Sequence, residues 1–358
     1  DTDAGLKKLR TDLNKLRRAK PKIQRTMIMR ERAESRENYI HLGGDFTRKG
    51  APVKPGGIAA LPAMKSQGDV PNHLDFARWL VDAANPLTPR VTMNRTWMRY
   101  FGRGIVETEN DFGITGDRPT HPELLDLLAA KFVESGWSQK AMHRLIVLSD
   151  TYRQSSAPRK DVAEIDPENK LLARQNRVRL DAEIIRDSSL VASGLLTAKI
   201  GGPSVYPPIP AGALSVTQVQ REWRTATGDD RYRRGMYTFF QRSAAHPSLI
   251  VFDAPDATTS CTRRVRSNTP LQALTMLNDE TSLELARKLA ARLLREVPDN
   301  DAARLRYGFK LTVHRDPKPR ESERLLALAS SSSSHGMDKA WTNVARVLLN
   351  LDEFMTRE

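Results

Sequence analysis

Hydrophobic residues at the start of the chain recur at helical spacing. Four leucines are separated by three, four and three residues, which places them on one face of an α-helix: Leu6, Leu9, Leu13 and Leu16. Lysines and arginines fill many of the remaining positions, and Pro21 ends the pattern. We therefore predict a basic amphipathic helix over residues 1–20, with an apolar face suited to pairing with another helix.

The segment that follows has no regular pattern of hydrophobic and polar positions. Residues 39–64 contain five glycines and three prolines, which interrupt helices and strands. Residues 21–72 are therefore predicted to form an extended, Gly/Pro-rich lead-in or linker.

Helical periodicity dominates residues 73–358, which we interpret as one mainly helical domain. A capping residue followed by proline marks helix starts at Asp166 and Thr269, and Thr120-x-x-Glu123 has the spacing of a capping box. Gly194 has the position of a glycine that ends a helix.

Two short apolar runs interrupt this helical pattern. GMYTFFQRS (residues 235–243) and SLIVFDAP (residues 248–255) are rich in β-branched and aromatic residues, which favours strands. The predicted fold class is mainly α: a multi-helix domain with a minor β element near residues 235–255 and an extended N-terminal lead-in.

Positive charge is concentrated at the N-terminus. The net charge is +14, and residues 1–36 supply half of it, with twelve lysines and arginines against five acidic residues. Elsewhere arginines stand beside carboxylates, as in Asp229-Asp230-Arg231, which favours a salt-bridged surface over a continuous face for polyanions. No apolar run approaches the ~18 residues needed to cross a bilayer.

A single cysteine, Cys261, limits the chemistry of the chain. It excludes an intrachain disulfide and a cysteine-rich zinc site, and no C-x-x-C-H motif is present to attach a c-type haem. Neither H-x-x-x-H nor H-E-x-x-H occurs, so the sequence leaves any metal site undefined.

Cys261 lies in FDAPDATTSCTRRVRSNTPLQAL, residues 252–274, which also contains acidic and basic side chains. Arg263, Arg264 and the helix start at Thr269 are surroundings that favour a reactive thiolate, and His246 is a candidate base. The alternative is that Cys261 is a small buried side chain in an irregular loop. We expect burial.

Asp253 and Asp256 flank a proline turn in the same stretch. They could perform acid–base catalysis or bind a hard cation, or they could accept backbone N–H bonds in an ordinary turn. A third hypothesis is a buried ion-pair network with one of four arginines: Arg233, Arg234, Arg263 or Arg264.

The same four arginines are candidates for binding a ligand or a partner. Trp223 and Tyr232 lie beside two of them in REWRTATGDDRYRR and are candidate aromatic contacts for a sugar or a partner. We expect the loops at 228–234 and 246–268 to border one cleft. No nucleic-acid-binding motif is visible, so a nucleic acid partner is not expected.

Several long stretches carry a resemblance to a known family. They are ARWLVDAANPLTPRVTMNRTWMRYFGRGIVETENDFGITGDRPTHPELLDLLAAKFVESGW, IVLSDTYRQSS, DPENKLLARQNRVRLDAEIIRD, YRRGMYTFFQRSAAHPSLIVFDAPD and NTPLQALTMLND. They resemble the planctomycete C-terminal domain of unknown function found in cytochrome-c-associated surface proteins.

The resemblance implies a setting more than a reaction. Such domains form the C-terminal part of large exported proteins, periplasmic or on the cell surface, many with a c-type haem domain upstream. It therefore implies no cofactor within this chain, a c-type haem in an upstream domain or partner, and a context of carbohydrate metabolism with an acidic polysaccharide as a possible ligand.

Three hypotheses for function follow. The first is a helical module that works with a c-type cytochrome in redox or carbohydrate processing. The second is a structural or interaction scaffold without catalysis. The third is an independent hydrolase that uses Asp253, Asp256, His246 or Cys261, so the sequence leaves open whether the chain is an enzyme.

Overall fold

The computed structural model describes residues 3–21, 23, 25–32, 36–214, 222–242 and 244–357. The chain divides into two compact units, Asp1–Thr88 and Pro89–Glu358. Each unit is considered by itself below.

The described residues of the first unit include two α-helices and a hairpin. Helix α1 (Ala4–Ala19) begins at Asp3, whose side chain accepts the N–H of Gly5, and its leucine face is exposed. Strands β1 (Asn38–His41) and β2 (Lys49–Val53) pair in antiparallel fashion. Helix α2 (His73–Leu80) is capped by Asn72.

The helices from residue 87 onward are α3 (Leu87–Phe101), α4 (Pro122–Glu134), α5 (Gln139–Val147), α6 (Asp150–Arg153), α7 (Ala182–Ser193), α8 (Pro247–Val251), α9 (Pro270–Asn278), α10 (Glu280–Glu296), α11 (Asp301–Val313), α12 (Pro319–Ser332), α13 (Met337–Leu349) and α14 (Asp352–Met355). None of the described helices is long and apolar enough to cross a bilayer. The prediction of a mainly helical fold is confirmed.

Among its described residues, the second unit has two hydrophobic cores that hold its helices together. In the larger core, α10 packs against α13 through fully buried side chains that include Leu289, Leu293 and Leu348. The smaller core joins α3, α4 and α5 around residues such as Phe101 and Phe132. Burial of apolar area is the main favourable term that keeps these helices in place.

The minor β structure of the second unit lies elsewhere than expected. Strand β3 (Val178–Arg179) pairs antiparallel with β4 (Thr356–Arg357). In the 235–255 region, Thr238 makes only an isolated bridge to Val205, and residues 247–251 form α8. Pro247 occupies the first turn of this helix, and a short apolar run by itself cannot distinguish a helix from a strand.

Two of the predicted helix starts also differ. Helix α4 follows His121, which makes no capping hydrogen bond, so the box expected from Thr120 and Glu123 is wrong. Asp166 begins a turn in which its carboxylate accepts the N–H groups of Lys170 and Leu171. An aspartate that accepts backbone N–H groups within a turn is satisfied as fully as one that caps a helix, which explains the error.

Candidate functional site

One cleft of the second unit is lined by six arginines. We call it the arginine cleft; its volume is about 680 Å³. Its walls come from the end of α3 and from irregular segments, and its floor includes β3 and β4. The lining arginines are Arg103, Arg177, Arg179, Arg263, Arg264 and Arg266.

Several of these arginines form ion pairs, and the most buried pair joins Arg179 to Asp253. Arg179 Nη2 lies 2.5 Å from Asp253 Oδ2, and the side chains of the pair are 11% and 22% exposed. Asp253 also accepts the backbone N–H of Ser267 at 2.9 Å and its hydroxyl at 2.8 Å. The backbone of Asp253 is left-handed, with φ of 60°, a conformation that aspartate tolerates better than most residues.

The surroundings of Asp253 keep its carboxyl group ionised. Partial burial raises its pKa, but the hydrogen bonds from Ser267 and the charge of Arg179 outweigh burial and leave the pKa below its ordinary value. Asp253 therefore holds Arg179 in place as a fixed negative charge at neutral pH.

A second set of ion pairs lies at the start of α7. Arg264 binds Glu183 through two hydrogen bonds of 2.6 and 3.1 Å, the fork geometry that guanidinium groups favour. Arg266 reaches Asp181 only at 3.5 Å, and its buried Nε has no hydrogen-bond partner among the described residues. Arg266 is thus the least satisfied guanidinium of this set.

The outer arginines differ in their pairing. Arg103 lies 2.9 Å from Glu168, and Arg177 lies 2.6 Å from Asp352; both carboxylates also line the cleft. Arg263 is exposed and has no ion pair among the described residues.

The charges are therefore layered. The carboxylates that hold Arg179, Arg264 and Arg266 are Asp253, Glu183 and Asp181, and none of the three lines the cleft. Guanidinium groups stand between these carboxylates and the cavity. The cavity also contacts the carboxylates of Glu107, Glu168 and Asp352, but the six guanidinium groups outnumber them, and this excess of positive charge is suited to an anion.

The two aspartates predicted for catalysis have separate roles in the structure. Asp256 is exposed and accepts the N–H and hydroxyl of Thr258 at 3.0 and 2.6 Å, as in an ordinary Asx turn. The carboxylate of Asp253 is already engaged by Arg179 and Ser267. The ion-pair partner expected for Asp253 was one of four other arginines, and that expectation is wrong because Arg179 takes the position.

His246 is buried and both of its ring nitrogens have partners. Its Nε2 lies 2.9 Å from the carbonyl oxygen of Pro208, and its Nδ1 lies 2.8 Å from Ser248 Oγ. Because a carbonyl only accepts, we assign the proton to Nε2. Burial lowers the pKa of His246 to about 4, so the ring is neutral at pH 7.

Cys261 is exposed, so the expectation that it is buried is wrong. Its thiol lies 3.3 Å from the carbonyl oxygen of Arg263. No hydrogen bond joins Cys261 to His246 among the described residues, and the thiol–imidazole pair considered from the sequence is not assembled.

The remaining candidates are engaged in hydrogen bonds or ion pairs within the chain. Arg233 is 1% exposed and donates to the carbonyl oxygens of residues 199, 201 and 203. Arg234 pairs with Asp187 at 2.8 Å. Tyr232 donates to a glutamate of α10, and Trp223 Nε1 donates to the carbonyl oxygen of residue 207.

Of the predicted ligand-binding residues, only Arg263 and Arg264 line the arginine cleft. Sequence reasoning missed Arg103, Arg177, Arg179 and Arg266. The one available signal was Arg179 in VRLD, two residues before the acidic start of α7. No cluster of three or more His, Cys, Asp or Glu suited to a metal occurs among the residues that the structure describes.

A comparison with protein-family models identifies a family over most of the chain. The family model described as PSD1, protein of unknown function (DUF1553), matches residues 72–329. No curated protein and no solved structure matches the chain.

Proposed function

The chain belongs to the PSD1 family of proteins of unknown function (DUF1553), and we propose that it is a binding module whose arginine cleft receives an anionic ligand. The observation that carries this proposal is the layering of charge around the cleft. Guanidinium groups line the cavity, while the carboxylates that hold three of them stand behind.

Arg263 and Arg266 are the best placed to bind the ligand. Arg263 is exposed and without an ion pair, and Arg266 has only the long contact to Asp181. Both retain N–H donors that an incoming carboxylate, sulfate or phosphate can accept. Arg179 and Arg264 instead shape the site, because the terminal nitrogens of both guanidinium groups are already engaged.

The hydrolase hypothesis has less support. Asp253 is neutralised by Arg179, Asp256 serves a surface turn, and His246 uses both nitrogens in its own packing. A hydrolytic site needs a nucleophile or activated water within reach of a base. A binding role makes no such demand.

The family resemblance supplies the setting that we propose. The module acts in an exported, periplasmic or cell-surface protein beside an upstream c-type cytochrome domain or redox partner, in a planctomycete context of carbohydrate processing. Helix α1 supports a further contact, because its leucine face is exposed and spaced for pairing with another helix. The anionic ligand then comes from a partner protein or from an acidic polysaccharide.

The experiment compares binding by two double variants of equal net charge. Arg263→Ala with Arg266→Ala changes the cleft, while Arg144→Ala with Arg320→Ala removes two exposed arginines of α5 and α12. Fluorescence anisotropy measures labelled poly-glutamate and oligogalacturonate at about 150 mM salt, where nonspecific attraction to a basic protein is screened.

We expect the cleft variant to bind one of the probes about tenfold more weakly than the wild type, since arginine contacts are frequent hot spots. The control variant should stay within about twofold. Equal losses in both variants would mean that the net charge, and not the cleft, attracts the anion.

A further inference from the structure

One wall of the arginine cleft is a short extended segment. Residues 264–269 form neither helix, turn nor bend, and residues 263–268 line the cleft. Val265 is 74% exposed, whereas the side chains of Arg264 and Arg266, at 31% and 25%, turn toward carboxylates at the start of α7. This alternation is that of a β-strand.

The backbone of this segment is open. The N–H and C=O groups of Arg264, Val265 and Arg266 have no hydrogen-bond partner among the residues that the structure describes. A strand with an unpaired edge is a template for a further strand. Here that edge belongs to the wall of a positively lined cavity.

Both ends of the segment are anchored. At one end, Arg264 donates two hydrogen bonds to Glu183; at the other, the N–H and hydroxyl of Ser267 donate to Asp253. The edge is therefore held in shape before any partner arrives. Preorganisation of this kind lowers the entropic cost of adding a strand.

We propose that the arginine cleft takes an extended acidic peptide, which adds as a strand along residues 264–266 and directs alternate carboxylates toward the face of Arg266, while Arg263, at the bend where the segment begins, contacts the end of the peptide. The inference rests on the proposed function and names its ligand. In a strand every second side chain faces the same way, at a spacing of about 6.6 Å. A segment with glutamate or aspartate at alternate positions therefore presents a row of carboxylates to the cavity.

The open backbone favours a peptide over a polysaccharide. An acidic polysaccharide can satisfy guanidinium groups, but it carries no N–H and C=O groups at strand spacing. A peptide satisfies both the arginines and the edge, as in recognition by β-strand addition.

The test uses the full chain and three labelled decapeptides. One is acetyl-(Glu-Thr)₅-amide; the other two are the same peptide N-methylated on every Glu or on every Thr. In a strand, N–H groups of successive residues point to opposite sides. Strand addition therefore requires one methylated peptide to lose binding, by about tenfold or more, and the other to retain it.

Hydrogen exchange provides the second readout. The amides of residues 264–266 should become protected when the unmodified peptide binds, and the Arg263→Ala, Arg266→Ala variant should abolish that protection at the same peptide concentration. Binding that is equal for all three peptides, or a loss that is equal for both methylated ones, overturns strand addition.

The outcomes also separate this inference from the proposed function. If oligogalacturonate binds in a cleft-dependent way and the decapeptide does not, the cleft is an anion site but the peptide inference is wrong. If neither probe depends on the cleft arginines, both proposals fail.

Discussion

Arg179 and Asp253 are 74 residues apart in the sequence, and the guanidinium of one lies 2.5 Å from the carboxylate of the other. The pair joins β3 to the turn that follows α8. Ser267 binds the same carboxylate, so a single aspartate fixes the floor and one wall of the arginine cleft.

The first prediction concerns this aspartate. Asp253→Asn keeps the size of the side chain and its tolerance of a left-handed backbone, but it leaves the partly buried Arg179 without a counter-charge. We expect the free energy of unfolding to fall by about 1–3 kcal/mol in urea denaturation at pH 7. Asp256→Asn, in the neighbouring exposed turn, should leave stability essentially unchanged, and equal losses would contradict this account.

A second prediction concerns the pH dependence of stability through His246. Burial is the largest cause of its lowered pKa, and the nearby positive charge of Arg186 acts in the same direction. Its folded pKa of about 4 lies below the ordinary 6.5, so only the unfolded state takes up a proton between these values. The contribution of neutral His246 to the free energy of unfolding should be fully present above pH 6.5. It should decrease by about 3 kcal/mol as the pH falls toward 4.

The measurement is urea denaturation of the wild type and of His246→Gln at several pH values between 7 and 4. The variant is less stable at pH 7 but lacks the titrating group. Its free energy of unfolding should therefore decrease over this pH range by about 3 kcal/mol less than that of the wild type. An identical slope in both proteins would assign the effect to another residue.

A third prediction tests the exposure of Cys261. Its thiol should react with a chromogenic disulfide reagent in the native state at a rate close to that in urea, because no packing shields it. Cys261→Ser should leave unfolding and ligand binding nearly unchanged. Native-state protection, or a marked loss of stability in the serine variant, would indicate a packed role instead.

A fourth prediction concerns the close approach of Gly235 to α7. A Cβ atom at this position would lie 2.8 Å from the backbone of Glu183, and the Gly235 N–H donates to Asp187 at 2.6 Å. Gly235→Ala should cost about 1–3 kcal/mol, the range typical of overpacking. Gly68→Ala, where the added atom meets nothing within 4 Å, is the matched control and should lose no stability in thermal unfolding.

Features that depend on local chemistry were predictable from the sequence. Helix α9 begins after Thr269 with a capping box that includes Gln272, and α7 ends at Gly194 in the left-handed region. Both signals involve residues within a few positions of one another. The equally local signals at Thr120 and Asp166 did not hold, because the Thr120 hydroxyl bonds the carbonyl oxygen of Ile105 and Asp166 serves a turn.

Features that depend on distant pairing were not predictable. Strands β3 and β4 have two residues each and lie far apart in the sequence, which leaves no periodic pattern. The partner of Asp253 was sought among nearby arginines, and Arg179 belongs to another part of the chain. Cys261 was expected to be buried on the general behaviour of cysteine, whereas the loop around it is exposed.

The pairing of β3 with β4 also orders events during synthesis. Because Met355 and Thr356 contribute to the floor of the cleft, the cleft is incomplete until these residues have left the ribosome. Most of the core around α10 and α13 precedes residue 350 in the sequence, and Phe354 of α14 completes it. A product of premature termination after residue 350 would therefore lack Phe354 of the core together with Asp352, Met355 and Thr356 of the cleft, so the last residues complete the core and the cleft in the same step.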